Sequence, residues 1–436
     1  MKLRSRSVNN GSELLPYLVS SGHRVAIDEL TAQVNPSIGP VARIVSYFGV
    51  DGQLHVCSGH AEQYDLNHVL ARLLGVPSLD TGVGTNVHGG GKGFLLSDMF
   101  LSSLGESVER IVGTLCHLAR MENYRCATSR ELSVEGVRHL TPEQIPLFAP
   151  EQHEMYSPEG LYVPFTEDTA VAWASGENLL DGESVLVPAQ LVDFWHLLTE
   201  GEKAIGYSQS GGLSCHVSKQ DAMYHAITEV IERDAVNLRW YAGIPPVRVE
   251  LDGGFERTRT GAQLVQDLDR WPIPTQVYYH NVDLHEVPVF TAIRVEPYFR
   301  EFSYLAGGGA DYCPHRLLIK TLGEFGQSER MLRMGMLAPD KPLGSNLRRM
   351  FSVRPDAELD EFDLFYKVVG YYGHARNRDK LDWYLNGQQS VKFSDLCERA
   401  GADVLQLSVG EKLERLLQVL ARDGIEPIAF DLTPPE

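Results

Sequence analysis

Residues 101–110, LSSLGESVER, carry a short acidic pattern that returns twice later in the chain. Glu106 precedes Glu109 by three positions, and an arginine follows directly. Residues three positions apart are neighbours on an α-helix, so such a pair presents two oxygen ligands to one spot. Altered copies of the pattern stand at residues 226–234, AITEVIERD, and 321–330, TLGEFGQSER.

The residues around the first stretch follow the helical period of about 100° per residue. One apolar stripe is formed by Leu104, Val108, Ile111, Leu115 and Leu118. The polar positions opposite this stripe are Ser103, Glu106, Glu109 and Arg110. The pattern therefore predicts a helix with a polar, largely acidic face.

The second copy predicts another helix, which begins with a capping box at residues 218–221. Its apolar stripe is formed by Met223, Ile227, Val230, Ile231 and Leu238. Glu229 and Glu232 are predicted to lie opposite that stripe, and the third copy carries Glu324 and Gln327 in the same relation. A single copy is more typical of a solvated helix face with local ion pairs than of a binding site. Three copies in one chain favour a functional interpretation.

A glycine-rich segment precedes each of the three helices, and we predict a turn at each. The segments are residues 88–94, HGGGKGF, residues 208–216, SQSGGLSCH, and residues 305–315, LAGGGADYCPH. Glycine either lets backbone N–H groups approach an anion or permits a positive φ. A Walker A loop is excluded, because Gly93 stands where that loop needs Ser or Thr.

Composition narrows the class of protein. The chain has 436 residues, of which 43% are hydrophobic and 22% charged, as in globular proteins. The net charge of −19 argues against a nucleic-acid partner, since phosphate contacts need a basic surface. No apolar run is long enough to span a membrane, and no apolar region follows the basic N-terminus. We therefore expect a cytoplasmic protein with no membrane partner.

Predicted strands alternate with predicted helices along the chain, and some strands follow one another directly as hairpins. Strands are predicted at residues 42–49, 54–58, 245–251, 275–283, 287–295, 402–409 and 426–433. Further helices are predicted at residues 66–74, 261–271 and 411–424, the last ended by Gly424, and residues 339–382 are predicted to be irregular. The fold class expected is α/β (α+β), with mixed or antiparallel sheets flanked by helices.

The order of these motifs resembles the YcaO family over residues 87–330, and more loosely to residue 433. The motifs that carry the resemblance are GKG, then SxxExxER, then SGGL with the second ExxER, and finally the third helix. The resemblance implies a YcaO-like fold and an enzyme that uses ATP and Mg²⁺ to activate backbone amides of ribosomally made peptides. It also implies two parts, an appended N-terminal recognition part at 1–86 and a catalytic domain at 87–436.

The resemblance also implies the site residues. The magnesium ligands it implies are Glu106, Glu109, Glu229 and Glu232. The further nucleotide-binding residues are Lys92, Ser103, Ser210 and Arg233. The catalytic residues are Ser103, Arg110, Gln327 and Arg330. Carboxylates suit this purpose, because Mg²⁺ prefers hard oxygen ligands and phosphoryl transfer depends mainly on positioning and charge neutralisation.

Two features depart from the family pattern. Gly211 stands where the family has an asparagine, so one polar contact to the nucleotide is expected to be missing. Residues 433–436, TPPE, end the chain where many cyclodehydratases of the family continue into a proline-rich tail. The short tail either lies in one place near the nucleotide or a partner, or is a frayed end without a role.

The favoured activity is that of a cyclodehydratase subunit forming thiazoline or oxazoline rings from Cys, Ser or Thr of a precursor peptide. Formation of thioamides or amidines and a non-catalytic scaffold role are the alternatives. No E1-like adenylating domain is recognisable in the sequence, so we expect a separate leader-binding, E1-like partner protein. The protein is then part of a multi-subunit complex or a homo-oligomer.

Overall fold

A computed structural model describes residues 34, 41–47, 53–63, 71, 75, 77, 89–120, 123–155, 162–194, 196–207, 209–253, 255, 259–340, 342–354, 356–359 and 365–433. Most of the predicted N-terminal part at 1–86 lies outside these residues. The same holds for the predicted helix at 66–74, apart from one position, and for residues 434–436 of the tail. The division at residue 86 therefore stays a prediction.

The described residues form eleven α-helices and twelve strands. The helices are α1 Leu96–Arg120, α2 Ser129–Val134, α3 Pro150–Met155, α4 Lys219–Tyr241, α5 Arg259–Arg270, α6 Pro314–Leu337, α7 Pro342–Phe351, α8 Phe365–Tyr372, α9 Asp382–Leu385, α10 Phe393–Ala400 and α11 Val409–Arg422. The strands are β1 Val41–Tyr47, β2 Cys57–Gln63, β3 Gly89–Gly93, β4 Arg125–Ala127, β5 Val171–Asn178, β6 Ser184–Pro188, β7 Val247–Glu250, β8 Gln276–Tyr279, β9 Val289–Val295, β10 Tyr304–Ala310, β11 Ser390–Lys392 and β12 Ile428–Ala429. Among these helices, none combines the length and apolarity needed to cross a membrane.

The strands make three sheets. The first has the order β1-β2-β3, the second β10-β9-β8-β7-β11, and the third β12-β5-β4, with β6 also paired to β5. Strands β7 to β10 pair antiparallel, whereas β11 joins β7 in parallel. The expected α+β class with mixed sheets is confirmed.

The chain divides into two compact units. The first consists of Met1–Glu62, Gly90–Leu104 and Thr228–Ser408, and the second of Gln63–Gly89, Gly105–Ile227 and Val409–Glu436. Helices α1 and α4 each have residues in both units.

The core of the first unit lies between the five-stranded sheet and the helices that cover it. Phe290 of β9, Leu305 of β10 and Phe325 of α6 are all fully buried there. Helix α6 begins at Pro314, a residue that suits a first helical position because it lacks an N–H. The core of the second unit is smaller and centres on Trp173 of β5, whose indole N–H donates to the carbonyl of Ala127.

Most predicted elements of the second half are confirmed. Helix α5, the β8 and β9 pair, helix α6 and helix α11 lie where the patterns placed them, with boundaries shifted by a few residues. Gly424 ends the last helix with φ of 72°, which only glycine adopts readily. Strands β1 and β7 are confirmed as well.

Four predictions of local structure are wrong. Residues 402–405 form a 3₁₀ turn rather than a strand, because Val404 is buried while its neighbours face solvent. The supposedly irregular residues 339–382 contain α7 and α8, whose helical spacing buries Leu347 and Phe351. The strand predicted at 54–58 begins only at Cys57. Finally, the strand predicted at 426–433 is reduced to the two residues of β12, which lies at the end of its sheet.

Candidate functional site

The glycine-rich segment before α6 is strand β10, not the predicted turn. None of its three glycines has a positive φ. A Cβ built at Gly307 would lie 2.1 Å from the backbone nitrogen of Phe325, so α6 lies directly against this strand. Glycine is needed here for close helix packing, which is a third role beside anion binding and turn formation.

The same correction applies to the segment at 88–94, which contains strand β3. A Cβ at Gly91 would lie 2.1 Å from the Oγ of Ser103 on α1. Ser103 is fully buried and donates its hydroxyl to the carbonyl of Met99 at 2.8 Å. Ser103 therefore lies inside a strand and helix contact instead of on an open polar face, and its catalytic role stays a prediction.

Lys92 of β3 reaches the third acidic motif. Its Nζ lies 2.8 Å from Oε2 of Glu324 on α6. Burial acts to raise the pKa of Glu324, but the charge and hydrogen bond of Lys92 outweigh it and hold that pKa below its usual value. Lys320, one turn earlier on α6, acts in the same direction.

Glu232 of α4 is close to this pair. A Cβ at Gly308 of β10 would lie 2.9 Å from Oε1 of Glu232, so the carboxylate lies against the backbone of the strand. The side chain is 8% exposed. Its burial, together with the negative charge of Glu324, raises the pKa of Glu232 to about 7. A buried carboxylate beside a second carboxylate is a position that a cation would stabilise.

Glu229 lies one turn before Glu232 on α4 and pairs with Arg233, with 3.2 Å between Oε1 and Nη2. The predicted faces of this helix are wrong in part, although Ile231 is buried as predicted. Val230 and Leu238, assigned to the interior, are 52% and 40% exposed, whereas Glu232 is buried. The reason is that the buried face carries a glutamate and a threonine, so hydrophobicity assigns it incorrectly.

Gln327 and Arg330 have different surroundings on α6. Gln327 lies one turn after Glu324 and is half-buried. Arg330 is buried and donates its Nη2 to the carbonyl of Leu54 at 2.6 Å. Burial lowers the pKa of Arg330. In this structure Arg330 holds a backbone segment, and its catalytic role stays a prediction.

In the second unit, the two glutamates of the first motif lie near the guanidinium of Arg110. Its Nη2 lies 3.4 Å from Oε1 of Glu106, and its Nη1 lies 3.8 Å from Oε1 of Glu109. The guanidinium carbon lies 5.3 Å from the ring centroid of Phe194, within the range of a cation–π contact. Arg110 and Glu109 are each 17% exposed, so this group is half-buried rather than solvated.

The turn predicted at 208–216 is confirmed and contacts α1. The N–H of Leu213 donates to the carbonyl of Ser210 at 3.0 Å, and Gly212 has φ of 89°. The N–H of Cys215 donates to Oε2 of Glu109 at 3.2 Å. Two motifs that are about a hundred residues apart in sequence therefore meet in the second unit.

The residues present suit Mg²⁺ and the phosphates of a nucleotide. Each unit supplies at least two glutamates together with basic side chains, and oxygen donors of this kind match magnesium. Within the described residues, no three His, Cys, Asp or Glu side chains form a ready cation cage. The four-glutamate ligand set therefore stays a prediction.

Sequence reasoning left two residues out of the site. Glu324 belongs to the repeated acidic motif, and this membership is the sequence signal for a role in the site, although the family resemblance assigns it no ligand role. Lys320 lay in no motif, and its stem lies 3.2 Å from a Cβ built at Gly309. Only the contact between β10 and α6 brings it near the carboxylates.

A family model described as "YcaO cyclodehydratase, ATP- and Mg²⁺-binding" matches residues 90–436. The chain belongs to the YcaO family. ATP and Mg²⁺ are therefore its cofactors.

Two relatives share sequence with this YcaO chain. An uncharacterized protein of Methanothermobacter thermautotrophicus is 34% identical over 279 residues, which cover 63% of this chain and 65% of the relative. An uncharacterized protein in the tfuA 3′ region of Rhizobium leguminosarum bv. trifolii is 39% identical over 66 residues, or 15% of each chain.

Solved structures share the YcaO fold. A heterocyclase in complex with substrate and cofactor has a TM-score of 0.67 at 17% identity, covering 95% of this chain and 50% of its own. YcaO from Methanopyrus kandleri, bound with AMPPCP and Mg²⁺, has a TM-score of 0.57 at 18% identity, covering 95% and 84%. The E. coli microcin synthetase McbBCD complex with pro-MccB17 has a TM-score of 0.51 at 14% identity, covering 88% and 83%. This chain thus spans 50% of the length of the heterocyclase and 65% of the length of the Methanothermobacter thermautotrophicus relative.

Proposed function

We propose that this protein is the ATP-dependent cyclodehydratase subunit of a peptide-modifying complex. Its substrate is a ribosomally synthesised precursor peptide, in which it forms thiazoline or oxazoline rings from Cys, Ser or Thr. The observation that carries the proposal is the contact of Lys92 with Glu324 beside the buried carboxylate of Glu232. These three side chains suit the binding of a metal-bound phosphate. A purely structural role explains them less well, because a buried carboxylate is costly unless a cation neutralises it.

The proposed reaction forms one bond and removes one oxygen. The side-chain thiol or hydroxyl of the peptide attacks the preceding carbonyl carbon and gives up its proton, and the former amide oxygen takes the terminal phosphoryl group of ATP, which releases ADP. The C–O bond then breaks, so that phosphate leaves with that oxygen, and loss of the amide proton completes the C=N bond of the ring. Bound Mg²⁺ supplies neutralisation of the phosphate charge.

The chain's residues have defined parts in this proposal. Those that hold magnesium are Glu106, Glu109, Glu229 and Glu232. Those that orient the nucleotide are Lys92, Ser103, Ser210 and Arg233. Those assigned to the reacting groups are Ser103, Arg110, Gln327 and Arg330. Positioning and charge neutralisation supply the rate enhancement, so no side-chain nucleophile is needed.

A leader-binding, E1-like partner protein presents the peptide in this proposal. The net charge of −19 gives this chain no general affinity for acidic peptide segments. The structural similarity to microcin synthetase, which is a complex that contains a pro-peptide, supports a multi-subunit assembly.

Mass spectrometry of a precursor peptide co-expressed with this chain and its partner tests the proposal. Loss of one water per modified residue, dependent on ATP, is expected. Exchange of oxygen for sulfur would instead indicate a thioamide-forming enzyme, and an unmodified peptide with no ATP consumption would indicate a scaffold. The matched control is the same co-expression with Glu232→Gln, which should leave the peptide unmodified.

A further inference from the structure

Four charged side chains form a buried ion network in the first unit: Arg294, Glu296, Glu329 and Arg333. The first three are at most 2% exposed and Arg333 is 7% exposed. Nη1 of Arg294 lies 2.6 Å from Oε1 of Glu329 and 3.3 Å from Oε1 of Glu296. Nη2 of Arg333 lies 2.6 Å from Oε1 of Glu296. The network holds two positive and two negative charges and is therefore balanced.

The Arg294–Glu329 ion pair joins the sheet to the helix of the third acidic motif. Arg294 belongs to β9 and Glu329 to α6. The guanidinium of Arg294 lies between two rings, 4.8 Å from the centroid of Phe325 and 5.1 Å from that of Trp271. Its Nε also donates to Thr275 at 3.0 Å. The position of Arg294 is thus fixed from several sides, and the position of Glu329 follows from it.

Two anchor points hold α6 just after Glu324 along the helix. The first is the close approach of Phe325 to Gly307, where no Cβ fits. The second is the ion pair at Glu329, about one turn beyond Phe325 along the helix. Glu324 and Glu329 are about 140° apart around the helix axis, so the ion pair lies on a different face from the site. Rotation of α6 about its axis would move Glu324 away from Lys92.

An apolar contact at position 329 would not fix that rotation equally well. Apolar side chains exchange one packed arrangement for another at small cost. An Arg–carboxylate pair, in contrast, has a defined distance and direction, and its loss in the interior is costly. A functional site needs such support, since small displacements of its side chains lower activity strongly.

Stability alone does not account for this network. Buried ion pairs stabilise a fold little more than well-packed apolar side chains of similar volume. Within the described part of the chain, Oε2 of Glu329 also has no hydrogen-bond partner, which costs free energy. A polar group kept at that cost is better explained by the precise placement of α6.

We propose that Arg294 and Glu329 are positioning residues, whose buried ion pair sets the rotation of α6 so that Glu324 and Gln327 face the nucleotide phosphates. This inference rests on the proposed function, since that function puts the nucleotide beside Glu324. Neither residue touches the reacting groups. Both act through the helix.

The double variant R294M/E329L tests this role. It removes one positive and one negative charge, keeps the side-chain volume similar, and leaves the 2.6 Å pair of Glu296 and Arg333 in place. The melting temperature should stay near that of the wild type. The Kd for AMPPCP in the presence of Mg²⁺ should rise at least tenfold. Amides of α6 near residue 324 should exchange with deuterium at least tenfold faster, without nucleotide.

The matched control is R348M/E301L, which removes an exposed ion pair of 3.3 Å in the same unit. This variant should change neither the Kd for AMPPCP nor the rate of amide exchange in α6. A folded R294M/E329L that binds AMPPCP as the wild type does overturns the proposal. If that variant does not fold, R294K decides, because lysine keeps the charge but loses the planar contact with Phe325 and Trp271. We expect a several-fold loss of affinity for R294K, and an unchanged affinity would overturn the proposal.

Failure of the proposed function gives a different result. Wild-type protein that does not bind AMPPCP with Mg²⁺ contradicts the proposed ATP-dependent activity. The deuterium exchange of α6 is measured without nucleotide, so it still tests whether the ion pair of Arg294 and Glu329 holds this helix in place. Unchanged exchange in R294M/E329L then overturns the positioning role, and faster exchange near residue 324 supports it.

Discussion

Nζ of Lys92 lies 2.8 Å from Oε2 of Glu324, although the two residues are 232 positions apart in the chain. One comes from the GKG motif on β3 and the other from the third acidic helix. Both side chains are about one third exposed or less, so the ion pair is only partly screened by solvent. This contact connects the beginning of the family motifs with their end.

Substitution of Glu324 by glutamine should weaken magnesium-dependent ATP turnover. The change removes a negative charge beside Glu232 while it preserves shape. We expect phosphate release to fall by about tenfold to a hundredfold, the usual range for groups that support a metal site. The magnesium concentration needed for half-maximal rate should rise. Phosphate release measured over a magnesium titration provides the test.

The charge control for this substitution is Glu358→Gln. Glu358 lies in the same unit, is 61% exposed and pairs with Arg376 at 3.8 Å. It should leave the rate and the magnesium dependence unchanged. A Glu324→Gln protein with the wild-type magnesium dependence would separate Glu324 from the metal site.

The three motif helices could be predicted from sequence because long periodic segments determine their own secondary structure. The buried face of α4 could not. Its inward positions include Glu232 and Thr228, and hydrophobicity alone places Val230 there instead. Polar residues face inward where a site has to be built, so the pattern fails at the functional part of the helix.

Long-range packing explains the other differences between sequence and structure. The sequence interprets glycines 307 and 91 through local turn chemistry, but their role is set by the helix that follows each strand and packs back against it. The contact between Lys92 and Glu324 has no local signal either. Recognition of the family supplied the site residues, and the three-dimensional structure supplied Lys320 and Gly308 as their neighbours.

Two adjacent glycines of β10 should respond differently to alanine. In Gly307→Ala the new Cβ would meet the backbone of Phe325 at 2.1 Å, so α6 has to move, and we expect a loss of about 1–3 kcal/mol or more. In Gly308→Ala the Cβ would meet the carboxylate of Glu232 at 2.9 Å, and that carboxylate can rotate away. Stability should change little, whereas ATP turnover should fall. Urea unfolding and phosphate release measure the two effects.

Gly105→Ala provides the control for the glycine pair. Gly105 lies within α1, and a Cβ there would meet nothing within 4 Å. Alanine should raise the free energy of unfolding by about 0.5–1 kcal/mol, as expected for a helix interior. Equal stability losses for Gly307→Ala and Gly308→Ala would contradict the distinction between helix packing and carboxylate placement.

Glu229→Gln should abolish ATP turnover and leave the fold intact. The side chain is 25% exposed, and its ion pair with Arg233 on the same helix contributes only about 0.3–0.5 kcal/mol. The melting temperature should therefore stay close to the wild-type value. Glu250→Gln, an exposed glutamate paired with Arg248 at 3.6 Å, serves as the charge control. Normal phosphate release by Glu229→Gln would remove this residue from the proposed magnesium ligands.

Stability should depend on pH through His196, which lies buried between two carboxylates of the second unit. Nε2 lies 2.9 Å from Glu202, and Nδ1 lies 3.3 Å from Asp193. Burial acts to lower the pKa of His196, but hydrogen bonds and charges of Asp193 and Glu202 raise it to about 9. Tyr124, which donates to Asp193, and Arg120, 3.2 Å from it, complete the charged and polar surroundings.

The direction of the pH effect follows from the raised pKa of His196. A histidine that binds its proton more tightly in the folded state stabilises the fold fully below its unfolded pKa of about 6.5. That contribution is lost as the pH rises towards 9. Burial acts to raise the pKa of Glu202, but the hydrogen bond and charge of His196 help to lower it to about 2. The contribution of Glu202 to the stability of the fold is therefore lost only as the pH falls from about 4.5 towards 2.

Between pH 6.5 and 9, His196→Gln should therefore be destabilised most at pH 6.5. Its deficit in the free energy of unfolding against the wild type should shrink by up to about 3 kcal/mol by pH 9. The deficit shrinks because the wild-type histidine loses its proton, and with it the attraction to Asp193 and Glu202. Urea unfolding of both proteins across this range measures the difference. His139→Gln offers a control for the loss of an imidazole, because His139 bonds to Ser129 and to the carbonyl of Val137, neither of which is a carboxylate. A deficit of His196→Gln that stays constant over this range would mean that the imidazole of His196 is already neutral at pH 6.5.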